Sequence, residues 1–152
     1  MSLQIRQVTA AETFPLRQRV LRPHETVDEL ARRWDGDSDP CHFAAVESGT
    51  VIGSASVGRE SPTWAADSSV SWRLRGMATA EDRRGEGVGA ALLAAVIDHV
   101  RQCGGGLLWC NARMAAVSLY QRAGFTTRGD GWDDPNLGPH IAMELLVDPA
   151  SR

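Results

Sequence analysis

The chain has 152 residues, 43% of them hydrophobic and 23% charged, with a formal net charge of −3 at pH 7. That length predicts one domain over residues 1–152 with a sizeable core, and the composition excludes a disordered chain. The longest apolar stretch, Val88 to Ile97, falls short of the roughly 20 residues of a membrane span, and the acidic balance argues against a nucleic-acid partner held by its phosphates.

In chain order, Met1 to Arg6 lacks a basic region followed by an apolar core, so no secretory signal is expected. Leu3, Ile5 and Val8 suit a short edge strand. The capping box Thr9-Ala10-Ala11-Glu12 predicts a helix through Leu16, Val20 and Leu21 as far as Pro23, kinked or restarted at Pro15. A second box, Thr26-Val27-Asp28-Glu29, opens a helix with Val27, Leu30, Ala31 and Trp34 on one side, followed by a loop over 35–40. His42–Glu47 and Thr50–Val57 read as strands of a hairpin turned at Ser48-Gly49. Arg59–Ser69 is a polar loop and Val70–Thr79 a long strand. A glycine-rich turn then leads into the clearest helix, Val88–Arg101, with an apolar stripe of Leu92, Leu93, Val96, Ile97 and Val100. After Gly104-Gly105-Gly106 come a strand at Leu107–Cys110, a helix at Ala115–Ala123, and a strand starting at Phe125–Arg128. A loop over Gly129–Pro139 and a last strand at Ile141–Val147 complete an α+β domain built on a mixed sheet.

Residue types narrow the chemistry. All 16 basic residues are arginine, so there is no lysine nucleophile, Schiff-base lysine or P-loop lysine. Cys41, Cys103 and Cys110 are odd in number and match no zinc spacing; they read as reduced thiols of a cytoplasmic protein without a metal site.

The segment Arg83-Arg84-Gly85-Glu86-Gly87-Val88-Gly89-Ala90 stands between a strand and the long helix. Its glycines permit positive φ and close backbone approach, the opening N–H groups of the helix lack internal acceptors, and Arg84 adds a cation. Together these make a phosphate or pyrophosphate site. A Walker loop would need a lysine. Gly85-x-Gly87-x-x-Ala90 fits a permissive dinucleotide pattern, but Trp109-Cys110-Asn111 offers no carboxylate where the ribose partner belongs, and too many strands precede the glycines.

Arg84-x-x-Gly87-x-Gly89 after a strand resembles instead the pyrophosphate loop of the GNAT superfamily of acetyl-CoA-dependent N-acetyltransferases. The resemblance continues in Ala116-Val117-Ser118-Leu119-Tyr120-Gln121-Arg122-Ala123-Gly124-Phe125, similar to the family's "A…LY…GF" element, and spans roughly Trp72 to Phe125. The tail Gly138–Met143 is similar to that of small bacterial members of unassigned acceptor. The resemblance implies a GNAT-like fold, a mixed, mostly antiparallel sheet of six to seven strands flanked by about four helices. It implies acetyl-CoA as acyl donor without a metal, and direct transfer in a ternary complex to a primary amine of a small molecule. A non-catalytic acyl-CoA sensor and acetylation of a protein N-terminus are the alternatives, and a homodimer is a possible assembly.

By the same resemblance Met77, Ala78 and Thr79 line the pantetheine, while Arg84, Gly85, Glu86, Gly87, Val88, Gly89 and Ala90 wrap the pyrophosphate. Asn111 and Ser118 complete the cofactor set. Where many members carry asparagine seven residues before the tyrosine, this chain has Arg113, which leaves open whether Asn111 takes that role or Arg113 reaches a phosphate. Tyr120 corresponds to the acid that protonates the leaving thiolate. The base candidates are Glu60, Asp133, Asp134 and His140, with His140 preferred because Pro139 fixes its loop. Cys110 is expected in the core rather than as an acyl carrier. For the acceptor, Arg17, Arg19 and Arg22 are candidates to hold a carboxylate or phosphate. Trp64 and Trp132 are candidates for an aromatic wall, with Trp72 and Trp109 expected in the core.

Overall fold

A computed structural model describes residues 3–34, 41–65 and 70–151. Seven strands form one mixed sheet, β1 Gln4–Val8, β2 Cys41–Glu47, β3 Thr50–Arg59, β4 Ser71–Thr79, β5 Gly106–Arg113, β6 Thr126–Asp134 and β7 Gly138–Val147, in the order β1-β2-β3-β4-β5-β7-β6. Neighbours run antiparallel except β4 and β5. Four helices flank it: α1 Ala10–Val20, α2 Val27–Trp34, α3 Val88–Gln102 and α4 Val117–Arg122.

The caps act where the sequence places them. Glu12 accepts the Thr9 N–H at 3.3 Å, and Thr26 and Glu29 bond reciprocally at 3.1 Å. Helix α1 runs through Pro15 without restarting. In α2, Val27 is exposed and Ala31 packs against Phe14 of α1, while Leu30 and Trp34 lie outside the described side chains, as does the loop over 35–40. Ser48 (φ 52°) and Gly49 (φ 78°) turn the β2–β3 hairpin.

Two expectations need correction. Strand β5 extends to Arg113, and Gly129–Pro139 is largely strand, β6 reaching Asp134 and β7 beginning at Gly138. Strand β6 lies at the sheet edge and is exposed almost throughout, with a register break between Arg128 and Trp132. Its polar, glycine-bearing sequence therefore lacks the alternation that betrays a half-buried strand.

The two sheet faces are covered differently. Ser56 of β3 points to Arg17 of α1, whereas Gly53, three positions away, faces α3. Helix α3 buries Leu92, Leu93, Val96 and Val100 completely or nearly so, at the centre of the core. It seats so closely on β3 that a Cβ at Gly53 would lie 2.7 Å from Val88 Cγ1 and 2.8 Å from Leu92 Cδ1. Gly53→Ala is therefore expected to destabilise the fold by about 1–3 kcal/mol through overpacking, read as a lower denaturation midpoint in urea at unchanged m-value.

Candidate active site

The parallel pairing of β4 with β5 covers only Ser71–Arg73 against Leu107–Trp109, yet β4 continues to Thr79 and β5 to Arg113. Beyond that point the strands part. The gap forms a cleft of about 300 Å³ walled by α1, β4, β5, the start of α4 and the β6–β7 hairpin.

A bulge shapes the β4 wall. Ser54 opposes Ala78 but Ser56 opposes Arg75, which places one extra residue on β4 around Gly76. Gly76 has φ 64°, its carbonyl accepts from Ser54 Oγ at 2.8 Å, and a Cβ there would lie 2.7 Å from the Arg17 guanidinium. Past the bulge, Ala80 N–H donates to Ile52 of β3, so strand alternation turns the main-chain groups of Thr79 and Met77 towards the open gap.

At the end of β4 the chain enters the glycine loop. Gly85 and Gly87 have φ 81° and 85°, with open space where a Cβ would stand, so conformation and not crowding requires glycine there. Gly87 caps α3 and its carbonyl accepts from Ala91 N–H at 3.0 Å, which leaves the N–H groups of Val88, Gly89 and Ala90 without helical acceptors. Arg83 grips both Glu47 oxygens (2.6 and 2.9 Å) and Glu86 (3.0 Å), anchoring the loop to β2 and turning Glu86 to that task. Arg84, by contrast, is exposed at the helix mouth. The Val88 and Ala78 side chains belong to the core, leaving only their main chain for a ligand. A Cβ on Gly89 would stand 3.2 Å from Leu119 of α4, so this glycine lets α4 lie against the opening of α3.

Met77, Asn111, Tyr120 and His140 meet at the cleft; the glycine-loop residues and the exposed Ser118 do not line it. Tyr120 is 4% exposed, packs edge-on to Phe125 at 5.4 Å between ring centres, and is coupled electrostatically to Cys110. Burial drives its pKa well above that of a free tyrosine, so its hydroxyl stays protonated. Burial also pushes the Cys110 thiol up to about 12, although Arg73 and Tyr120 pull the other way, and a protonated thiol is a poor nucleophile. Cys110 is thus core, as expected, but it also borders the cleft.

His140 is buried and stacks on Trp132 at 5.9 Å. Its Nδ1–H donates to the Gly138 carbonyl at 2.7 Å, which leaves Nε2 as the acceptor nitrogen. Glu60 pairs with Arg73 at 3.0 Å outside the cleft, and Asp133 is exposed. Asp134 borders the cleft, but its carboxylate accepts the Asn136 and Leu137 N–H groups at 2.9 Å, which hold its pKa down. Of Trp64, Trp72, Trp109 and Trp132 only the last lines the cleft; Trp64 packs edge-on to Trp109 at 5.5 Å, and Trp72 and Trp109 are buried. Arg19 pairs with Glu81, away from the cleft.

Beneath the bulge lies a polar chain that sequence reading missed. The Arg17 guanidinium donates to Ser56 Oγ, and His42 Nδ1 stands 2.5 Å from the same oxygen. Arg17 is 2% exposed, and burial, helped by the charge of Arg75, lowers it to about 10. Burial and then Arg17 lower His42 to about 4, so His42 is neutral and accepts the Ser56 hydroxyl proton. Nothing local betrays this chain, because its members come from α1, β2 and β3.

Parted strands with a bulge on one wall and a glycine-loop helix at the mouth are the architecture of a transferase that takes a CoA thioester. A family model described as the Acetyltransferase (GNAT) family matches residues 6–125, and the chain belongs to that family, as an acyltransferase that takes acetyl-CoA. It is 30% identical over 141 residues to a Bacillus subtilis (strain 168) protein described as "Uncharacterized N-acetyltransferase YitI", covering 93% of this chain and 94% of that one. The fold is shared with a GNAT superfamily phosphinothricin acetyltransferase of Sinorhizobium meliloti solved with AcCoA (TM-score 0.74, 19% identity, 97% of this chain and 90% of that one). It is shared also with the ribosomal-protein-S18-alanine N-acetyltransferase of Escherichia coli (TM-score 0.71, 20% identity, 99% and 97%).

The lowered pKa of His42 carries a testable sign. An unfolded histidine titrates near 6.5, so between there and 4 the unfolded chain holds a proton that the folded chain refuses. This contribution to stability is complete above the upper value and is lost as the pH falls through the window. His42→Asn should shrink the drop in melting temperature between pH 7 and pH 4.5 relative to wild type, measured by circular dichroism.

Proposed function

We propose that the protein transfers an acetyl group from acetyl-CoA directly to a primary amine of a small molecule, with Tyr120 as acid and His140 as base. What carries the reading is that the parted strands bring these two side chains into one cleft. The cleft volume suits a small acceptor, with α1 on one side and the β6–β7 hairpin on the other.

The residues fit the donor. The open-edge main chain of Met77 and Thr79 would hold pantetheine, and the free N–H groups of Val88, Gly89 and Ala90, with Gly85, Gly87 and Arg84, would hold the pyrophosphate. Asn111 stands at the cleft and Ser118 outside it, on the exposed start of α4. When bound, acetyl-CoA supplies an activated carbonyl and a sulfur leaving group. The chain's own residues do the rest. The Met77 N–H lies on the edge where carbonyl oxygen charge would be met. His140 Nε2 accepts the amine proton, its ring fixed by Gly138 and Trp132. Tyr120, kept protonated by burial, donates towards sulfur. Cys110, held as a thiol, forms no acyl-enzyme, which favours direct transfer. The three free cysteines accord with a reducing, cytoplasmic setting.

Tyr120→Phe and His140→Gln should each lower kcat by roughly 10²-fold without weakening acetyl-CoA binding, as measured by thiol release and calorimetry. If either variant kept full turnover, its assignment would be wrong. Gly87→Val places a β-branched residue at φ 85°, where no neighbour is touched. Strain alone should weaken acetyl-CoA binding by roughly tenfold or more.

A further inference from the structure

The cleft has a charge character opposite to that of the chain. Five arginines line it, Arg17 from α1, Arg22 just past its end, two from β4 (Arg73, Arg75) and Arg113 from β5, against one carboxylate, Asp134, among the described residues. Asp134 is occupied by two turn N–H groups, and Glu60 takes up Arg73. Glu25 stands 3.6 Å from Arg22 Nε, leaving that arginine at the rim and one-third exposed. The cations repel one another: burial and then Arg75 lower Arg17, while burial and then Arg22 and Arg84 lower Arg113 against the opposing pull of Asp134. A cleft of one sign between low-dielectric walls concentrates ligands of the other sign. A polycationic amine would be repelled from it.

Arg113 is the best placed of the five. Its guanidinium donates to the Leu21 carbonyl at 3.1 Å, which steers it to the α1 side of the sheet, away from the α3 face. That single bond leaves further N–H donors of the fork. In the sheet Arg113 is also the direct partner of His140, so an anion-binding fork and a proton-accepting imidazole stand about 5 Å apart at their Cα atoms.

Building on the acetyl-transfer reading, we propose that the acceptor is an amine bearing an anionic group one to three bonds from its nitrogen, a carboxylate or phosphonate bound by Arg113 and Arg22. The amine then meets His140 while its anionic group meets the fork.

The test uses the full chain with acetyl-CoA and follows thiol release. The probes are L-amino acids, their matched α-carboxamides, 2-aminoethylphosphonate, tryptamine and spermidine. An amino carboxylate or the aminophosphonate should exceed its neutral counterpart by at least roughly tenfold in kcat/KM, the size expected of a charge-assisted bond. Comparing the two anions tells which headgroup the fork prefers. Arg113→Gln should raise KM for that acceptor by a similar factor and leave acetyl-CoA affinity, measured by calorimetry, in place. Arg22→Gln, at the rim, provides the same comparison should Arg113→Gln misfold. Carboxamides or spermidine serving as well as the anionic amines would overturn the inference, as would a loss of acetyl-CoA affinity in place of acceptor affinity. Acetyl-CoA binding with no turnover of any probe would instead overturn the small-molecule reading beneath it.

Discussion

The structure depends on strands β4 and β5 coming apart. A parallel pair held by only three residue pairs leaves two edges of unpaired main chain inside a sheet, where such groups are costly unless something bonds them. In this fold the open edge borders the cleft, and under the proposed function the donor would complete the ladder that the sheet omits. Recognition would then run through main-chain groups, and the β4 segment, of which Gly76 and Met77 line the cleft, carries no unusual side chain.

Keeping the gap open is the work of the bulge and of what supports it. Gly76 must be left-handed, and it must lack a Cβ because Arg17 lies against it. Arg17 in turn is buried, an arrangement stable only with bonded partners, and Ser56 and His42 extend that bonding across β3 and β2. A single substitution in this chain would act at the cleft through backbone position. On the other face the close seat of α3 against Gly53 fixes where the glycine loop ends, and Arg83, bonded to Glu47, fixes where it begins. The bulge on β4 and the glycine loop are thus positioned by separate sets of contacts.

How legible this was from the sequence follows from how local each feature is. The capping boxes, the Ser48-Gly49 hairpin, the apolar stripe of α3 and the glycine loop are encoded within a few residues, and each stands where periodicity and turn chemistry put it. Only the start of strand β6 was legible: past Arg128, as an exposed, bulged edge, it carries no hydrophobic alternation, and Gly129 and Gly131 read as turn residues. Tyr120 and His140 could be named singly from motif position and from Pro139, but their meeting required the sheet order that sets β7 beside β5. The arginine lining was least legible. Arg73, Arg75 and Arg113 sit on strands where arginine usually signals an exposed position, and only the parting of β4 from β5 opens a cleft that all three line.

The family match ends at Phe125, just before the hairpin that supplies Trp132, Asp134 and His140. Residues 71–125 carry the strand edge, the glycine loop and Tyr120, which the proposed function assigns to the donor. The β6–β7 hairpin closes the cleft from outside the matched span, and with α1 it is the side that reading leaves to the acceptor. Because β7 pairs with β5 along its full length, the hairpin is rigidly keyed to the donor half, and Arg113 and His140 face each other across that seam. Under the proposed roles, substitution at the seam would then alter acceptor preference more than donor binding, provided the fork and the imidazole keep their register.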